Sequence, residues 1–217
     1  MLALPLLFFA VQANAQNQFY VSPHVSTQGL GAEFKYSPQP AFNIRAGISA
    51  LSLNFNTDYT VRSEPADLEV DVDMANAHLL FDWHPFVKSD GFGRKFLLTA
   101  GAAYFWKDQG DGVARYKGTY DYQGVPIPSG EVGELYGTAK WNSLAPYLGF
   151  GFENPTPKKR VNVGFALGAY YMGDPKVTVT GTKFLEDTSE DEREFRENIS
   201  RFKFLPVLQV NLNIRLN

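Results

Sequence analysis

The chain has 217 residues, with 20 Lys and Arg against 23 Asp and Glu and a net charge of −3. It therefore offers no basic face for nucleic acid, and no nucleic-acid partner is expected. The absence of cysteine excludes disulfides, thiolate metal sites and a lipid-modified N-terminal cysteine. With 15% aromatic residues, 19 Gly and only 3 Met, the composition suits short strands and tight turns, and the length fits one domain.

In chain order, the first element is an apolar run from Leu2 to Val11, followed by Ala13-Asn14-Ala15, a small-x-small cleavage pattern. Residues 1–15 are expected to be a signal peptide. No Lys or Arg precedes the run, which reads as a start codon assigned too late. The mature domain is then 16–217, exported and held together by its strands.

From Phe19 onward apolar and polar residues alternate with period two. Leu30, Ala32, Phe34 and Tyr36 oppose Gly31, Glu33 and Lys35, and Phe42, Ile44, Ala46 and Ile48 oppose Asn43, Arg45, Gly47 and Ser49. At Ala50 to Leu51 and near Met74 to Ala75 the alternation changes phase, which suggests β-bulges. The last strand places Leu208, Val210, Leu212, Ile214 and Leu216 on one face and Gln209, Asn211, Asn213 and Arg215 on the other.

The spacing predicts eight strands, near 18–25, 28–36, 42–60, 68–84, 94–108, 134–152, 160–180 and 202–216. Three connections, Ser37 to Pro40, Asp90 to Gly93 and Asn154 to Pro157, are short and rich in Pro and Gly. The others, at 61–67, 109–133 and 181–201, are long and polar. Short periplasmic turns opposite long outer loops are the arrangement of an outer-membrane barrel. The predicted fold is all-β: an eight-stranded antiparallel up-and-down transmembrane β-barrel, with a short amphipathic helix in the last extracellular loop. Ser189 as N-cap, Glu192 at the capping-box position, and Phe195, Ile199 and Phe202 at helical spacing mark that helix.

Phe96 to Trp106 and Val161 to Tyr171 each span about 25 Å at ~3.3 Å per residue and ~40° of tilt, the height of a lipid-facing band. Two aromatic girdles are expected, one of Tyr36, Phe42, Trp83, Phe86, Phe96 and Phe152, the other of Phe55, Tyr59, Tyr104, Trp106 and Tyr171. The alternative is a soluble barrel with an apolar interior. It would expose a large apolar outer surface to water and bury Glu33, Lys35, Arg45, Asp82 and Arg215 differently. In the membrane reading those five form a lumen charge network.

The candidate chemistry is sparse. Glu69, Asp71 and Asp73 are placed on the lumen face of the fourth strand, where like charges call for a pairing cation, Lys107 or Arg62, or a divalent ion. His78, Asp82 and His84 share one strand face and are a second, weaker metal candidate. The alternative for both is a salt-bridged or solvated polar surface, and no cofactor is expected. Only His24, His78 and His84 exist to act as a base, and no Ser/His/Asp spacing accompanies them, so no enzyme is expected.

Trp83-His-Pro-Phe86, Ala145 to Gly151 and Gly173 to Thr178 carry a family resemblance over nearly all of 18–217. The chain resembles small porin-like outer-membrane β-barrels of the OmpA-like and OmpW-like kind, in an uncharacterised subgroup. That resemblance implies a Gram-negative outer membrane, with its lipid and lipopolysaccharide as surroundings and the barrel-assembly machinery as a partner in biogenesis. Such proteins end in an aromatic residue, whereas this chain ends Leu216-Asn217. The expected role is structural or interactive, through extracellular loops whose partner is unknown. The alternatives are OmpW-like passage of small hydrophobic molecules, with Pro146 loosening the sixth strand, and, last, lipid modification.

Overall fold

The structure is a computed structural model that describes residues 17–61, 64–117, 119–122, 125–185 and 189–217. The expected signal peptide, 1–15, and Arg62 lie outside the described residues. Along the chain come β1 (Gln18–Ser26), β2 (Gly29–Gln39), β3 (Phe42–Val61), β4 (Glu64–Trp83) and β5 (Phe96–Tyr116). A small hairpin, β6 (Thr119–Tyr122) and β7 (Val125–Pro128), and the short α1 (Ser129–Val132) follow. Then come β8 (Glu134–Lys140), β9 (Leu144–Phe152), β10 (Val161–Tyr171), β11 (Lys176–Gly181), α2 (Ser189–Ile199) and β12 (Phe204–Arg215).

The barrel is a ring of eight antiparallel strands. β1 to β5 pair in sequence, β5 pairs with β9, β9 with β10, β10 with β12, and β12 returns to β1 from Tyr20↔Arg215 to Ser26↔Gln209. The sixth strand of the ring is broken into β8 and β9 at residues 141–143, and the seventh into β10 and β11 at 172–175. Pro146, expected to loosen the sixth strand, lies inside β9 opposite Ala102 and one residue beyond the end of the β9–β10 ladder at Tyr147↔Tyr170.

Through the membrane the alternation sorts residues as the sequence implied. Val161, Val163, Phe165 and Leu167 on β10 point outward beside Ile214, Leu212, Val210 and Leu208 on β12, while Asn211 and Asn213 are buried inside. The β10–β12 ladder pairs the two backbones from Val161↔Ile214 to Tyr171↔Phe204, the strand-to-strand pairing that hydrocarbon demands.

Beyond the membrane the strands continue further than expected. Residues 61–67 are not a long loop, because β3 and β4 stay paired to Val61↔Glu64, and β5 reaches Tyr116 within the segment expected to be loop 109–133. With β8 and β11 they form an extension in the order β11-β8-β5-β4-β3. The phase changes do not mark bulges in the β3–β4 pair, whose register is unbroken from Phe42↔Trp83 upward. At this level a bulge sits instead between β4 and β5, where Ala75↔Lys107 is followed by Asn76↔Phe105 and Trp106 is the extra residue.

What changes near Ala50 and Ala75 is the surroundings. Below that level the outward face meets lipid. Above it the outward face meets water and carries Ser52, Asn54, Asp73, Asp71 and Glu69, while Leu53, Phe55, Val72 and Val70 turn inward. The inward face becomes the floor of a small second core, in which Ile127, Val132, Leu135 and Leu185 pack with Ala114 and Val179. α2 lies on the same face, with the Phe195 ring directly over Gly137.

Candidate functional site

The lower lumen is filled by charged side chains. Arg45 of β3 donates from Nη1 to both oxygens of Glu33 on β2, at 3.2 and 3.1 Å. It also donates from Nη2 to Asp82 on β4 at 3.0 Å, and Thr99 of β5 donates to the same oxygen at 2.7 Å. Gln209 of β12, two strands away on the other side of β2, donates to Glu33 at 2.9 Å, and His78 Nε2 lies 3.2 Å from the same carboxylate. One guanidinium thus ties two carboxylates, and the group spans β2, β3, β4, β5 and β12. Gly47 leaves the room for it: a Cβ there would stand 2.6 Å from Glu33 Cγ and 2.7 Å from His78 Nε2.

A second pair, Lys35 with Glu153, lies toward the periplasmic end, and Lys35 also sits 5.4 Å above the Tyr20 ring. Of the expected network, Glu33, Lys35, Arg45 and Asp82 are buried in the lumen. Arg215 is not among them: it is half-buried and donates to the Pro157 carbonyl at 3.4 Å, at the periplasmic lip. Sequence reading missed Glu153, because it stands at the edge of a Pro-rich turn, outside any alternating run. It also missed Gln209 and His24, whose Nε2 meets Ser49 at 2.9 Å. Their polar positions on alternating strands were the available signal.

Above this layer the lumen turns apolar. Leu80, Phe105, Tyr147, Tyr170, Met172 and Val207 pack into one buried cluster, with Tyr147 and Tyr170 at 4.7 Å and Phe105 edge-on to Tyr170 at 5.6 Å. The passage is therefore sealed twice, by ion pairs and then by rings. An eight-stranded barrel is just wide enough for side chains to do this.

The acidic trio does not face the lumen. Glu69, Asp71 and Asp73 share the outward parity of Phe81 and Trp83, so they stand on the water-facing side of the extension. The placement differs from the expected lumen face because the β3–β4 register runs unbroken through the phase change, with no bulge to turn these residues inward. Each has a partner: Asp73 takes Lys107 at 3.2 Å, Asp71 takes Asn54 at 2.6 Å, and Glu69 takes Arg115 at 2.9 Å. His84 sits near Asn43, at 3.4 Å, rather than with His78. Among the described residues no group of three His, Cys, Asp or Glu is placed to hold a metal.

Arg115 also reaches Glu134 at 2.9 Å, and Lys117 holds both Asp58 and Asp67, at 2.6 and 2.7 Å. Hydrogen bonds from Arg115 hold the Glu69 carboxyl below its ordinary range, and those from Lys117 do the same for Asp58.

The periplasmic girdle is continuous. Phe42 and Trp83 pair across the ladder, Tyr36 stacks on Phe19 at 5.1 Å, Phe96 meets Phe86 and Phe152 at 6.0 and 5.8 Å, and Phe92 extends the ring. The outer girdle holds Tyr104, Trp106 and Tyr171, joined by Phe204. Phe55 does not belong to it. It pairs with Val70 on the inner face of the extension, well above the Tyr104 level. The Tyr59 side chain lies outside the described residues.

An apolar outward belt between two aromatic rings, around a charged interior, is the reverse of a water-soluble barrel. The solved structure of Acinetobacter baumannii CarO2 superposes with a TM-score of 0.65 at 25% identity, over 93% of this chain and 100% of that one. The same organism's CarO gives 0.61 at 25% identity, over 90% and 96%. These are outer-membrane barrels. The chain is an integral outer-membrane β-barrel. No protein-family profile and no curated protein matches it.

Proposed function

We propose that this barrel acts by display and not by conduction. Its lumen is closed, and its outer strands carry a structured platform into the surroundings of the cell. The observation that carries this reading is the double seal, the Arg45 ion cluster below and the Tyr147–Tyr170–Phe105 packing above, directly beneath an ordered extension. A diffusion pore would need both layers to be open. The platform's water-facing side, with cations and carboxylates interleaved across β3, β4, β5 and β8, is a surface suited to a polar extracellular partner or to lipopolysaccharide saccharide. Planar-bilayer recording on the reconstituted protein tests this. The expected record is flat at voltages that leave the barrel intact, and steady unitary currents would overturn the reading.

A second reading, sideways passage of small hydrophobic molecules, is favoured by one feature of the wall. The β9–β10 ladder stops at Tyr147↔Tyr170, and Pro146, next along β9, has no N–H to continue it. Above it the seam is held by Asn142 donating its amide to the Met172 carbonyl at 3.2 Å, until β8 meets β11 at Lys140↔Lys176. Protein-dependent uptake of a hydrophobic dye into vesicles, lost when 146 and 172 are cross-linked, supports this reading. Uptake no faster than through bare lipid removes it.

A further inference from the structure

The barrel wall is lowest over the β1–β2 turn. There it ends where Ser26 pairs with Gln209 and Leu30 with Ala50, whereas β3 rises on through 51–61 and β12 begins higher, at Phe204. Beside this notch lies a cavity of about 290 Å³. Met74, Trp141, Met172 and Leu205 line its inner side. Ile199 at the end of α2 and Phe202 just after it complete the lining, with Trp141 Nε1 donating to the Phe202 carbonyl at 2.9 Å. The last two lining residues, Phe204 and Pro206, stand on the lipid-facing side of β12. The cavity therefore crosses from the lumen mouth to the outside of the wall.

We propose that this cavity holds one acyl chain of an outer-leaflet lipid, inserted sideways over the β1–β2 turn, with the lipid's phosphate on Arg201. The cavity is continuous with the surface that already meets lipid. Phe204 lies 5.3 Å from Tyr171 in the outer aromatic girdle, and Phe202 and Phe204 are 63% and 60% exposed beside it. An aqueous entrance would not place bare rings on both sides. The space is about twice the ~150 Å³ cavity that accepts benzene, so by proportion it takes about a dozen carbons, a chain segment and not a whole lipid. Its floor, Met172 above Phe105 and Tyr170, is shut, so the chain is held and not passed on.

The charge on the chain segment that lines the cavity fits the same occupant. Lys203 is already paired with Asp174 at 2.5 Å, whereas Arg201, exposed and one residue before Phe202, has no partner among the described residues. An arginine fork beside an apolar slot matches a phosphate above an acyl chain.

Tryptophan quenching tests this. Trp83→Phe with Trp106→Phe leaves Trp141 as the only indole, and Trp83→Phe with Trp141→Phe leaves lipid-facing Trp106 as the reference. Both proteins are reconstituted in phosphatidylglycerol bilayers with brominated acyl chains, and folding is verified by the band shift on heating. The expected result is loss of most Trp141 emission, close to the loss at Trp106. Leu205→Phe, which fills the cavity, restores Trp141 emission and leaves Trp106 unchanged, and Arg201→Gln weakens Trp141 quenching at low fractions of brominated lipid. Unquenched Trp141 in folded protein overturns the proposal, and so does quenching that Leu205→Phe leaves untouched. Saturable quenching by bromobenzene in unbrominated bilayers, with none from brominated chains, also overturns it in favour of a free solute.

Discussion

Ala50 of β3 and Ala75 of β4 face each other across the ladder, and at this pair the two faces of the sheet exchange character. On the outward side, Ile48 and Ala77 below the pair give way to Ser52 and Asp73 above it. On the inward side, Ser49 and Asn76 below give way to Leu51 and Met74 above. The backbone register is continuous, so the inversion is written in side chains alone and marks where hydrocarbon ends.

Arginine on one face of one strand measures that boundary. Leu79→Arg, in the lipid belt, is expected to cost about 2–4 kcal/mol of folded stability in bilayers. Asp71→Arg, with the same outward parity higher on β4, is expected to stay within about 0.5 kcal/mol. Urea titration followed by the heat-modifiable band compares them, and equal costs would place both residues in the same medium.

This inversion also explains what was legible in the sequence and what was not. The alternation of Leu208 to Ile214 and of Val161 to Leu167 gave the membrane strands directly, because each of those strands meets one medium per face. The β3 and β4 patterns cross from lipid to water, so a change of medium imitated a bulge. That imitation puts Glu69 on the lumen side and Phe55 in a girdle when only the pattern is read. The real bulge at Trp106 left no such mark, because aromatic residues suit both sides of it. Arg45, Glu33 and Asp82 were readable as interior charges from parity. Glu153 was not, since nothing local shows that a residue before Asn154-Pro155 reaches across to Lys35.

Removing the hub of the lumen cluster strands two carboxylates in a dry interior. Arg45→Met is expected to cost about 3–5 kcal/mol, the usual penalty for breaking a buried pair from one side. The triple variant Arg45→Met, Glu33→Gln, Asp82→Asn is expected to recover much of that loss, because no uncompensated charge remains. The same urea assay reads both. A triple variant weaker than Arg45→Met would mean that the cluster contributes more through shape than through charge balance.

Acid acts first on the extension. Glu69 and Asp58 are held below the ordinary carboxylate range by hydrogen bonds from Arg115 and Lys117, in that order. A depressed carboxylate adds stability above its unfolded value and loses that contribution as pH falls through its folded one. Backbone protection at 64–70 and 110–116 is therefore expected to drop below the ordinary carboxylate range, while 96–104 in the membrane keep theirs. These pairs are exposed, so the effect is small and fades in high salt. Protection that falls uniformly along β5 would contradict this.

The natural chain has no cysteine, so single cysteines along β4 can be read without background. Cells displaying the protein are treated with a membrane-impermeant maleimide at positions 69, 71, 73, 77, 79 and 81. The expected result is labelling at 69, 71 and 73 and none at 77, 79 and 81, although all six share one face of one strand. Labelling at 79 and 81, or protection of 71 and 73, would contradict a barrel whose outward face passes from lipid to water at Ala75.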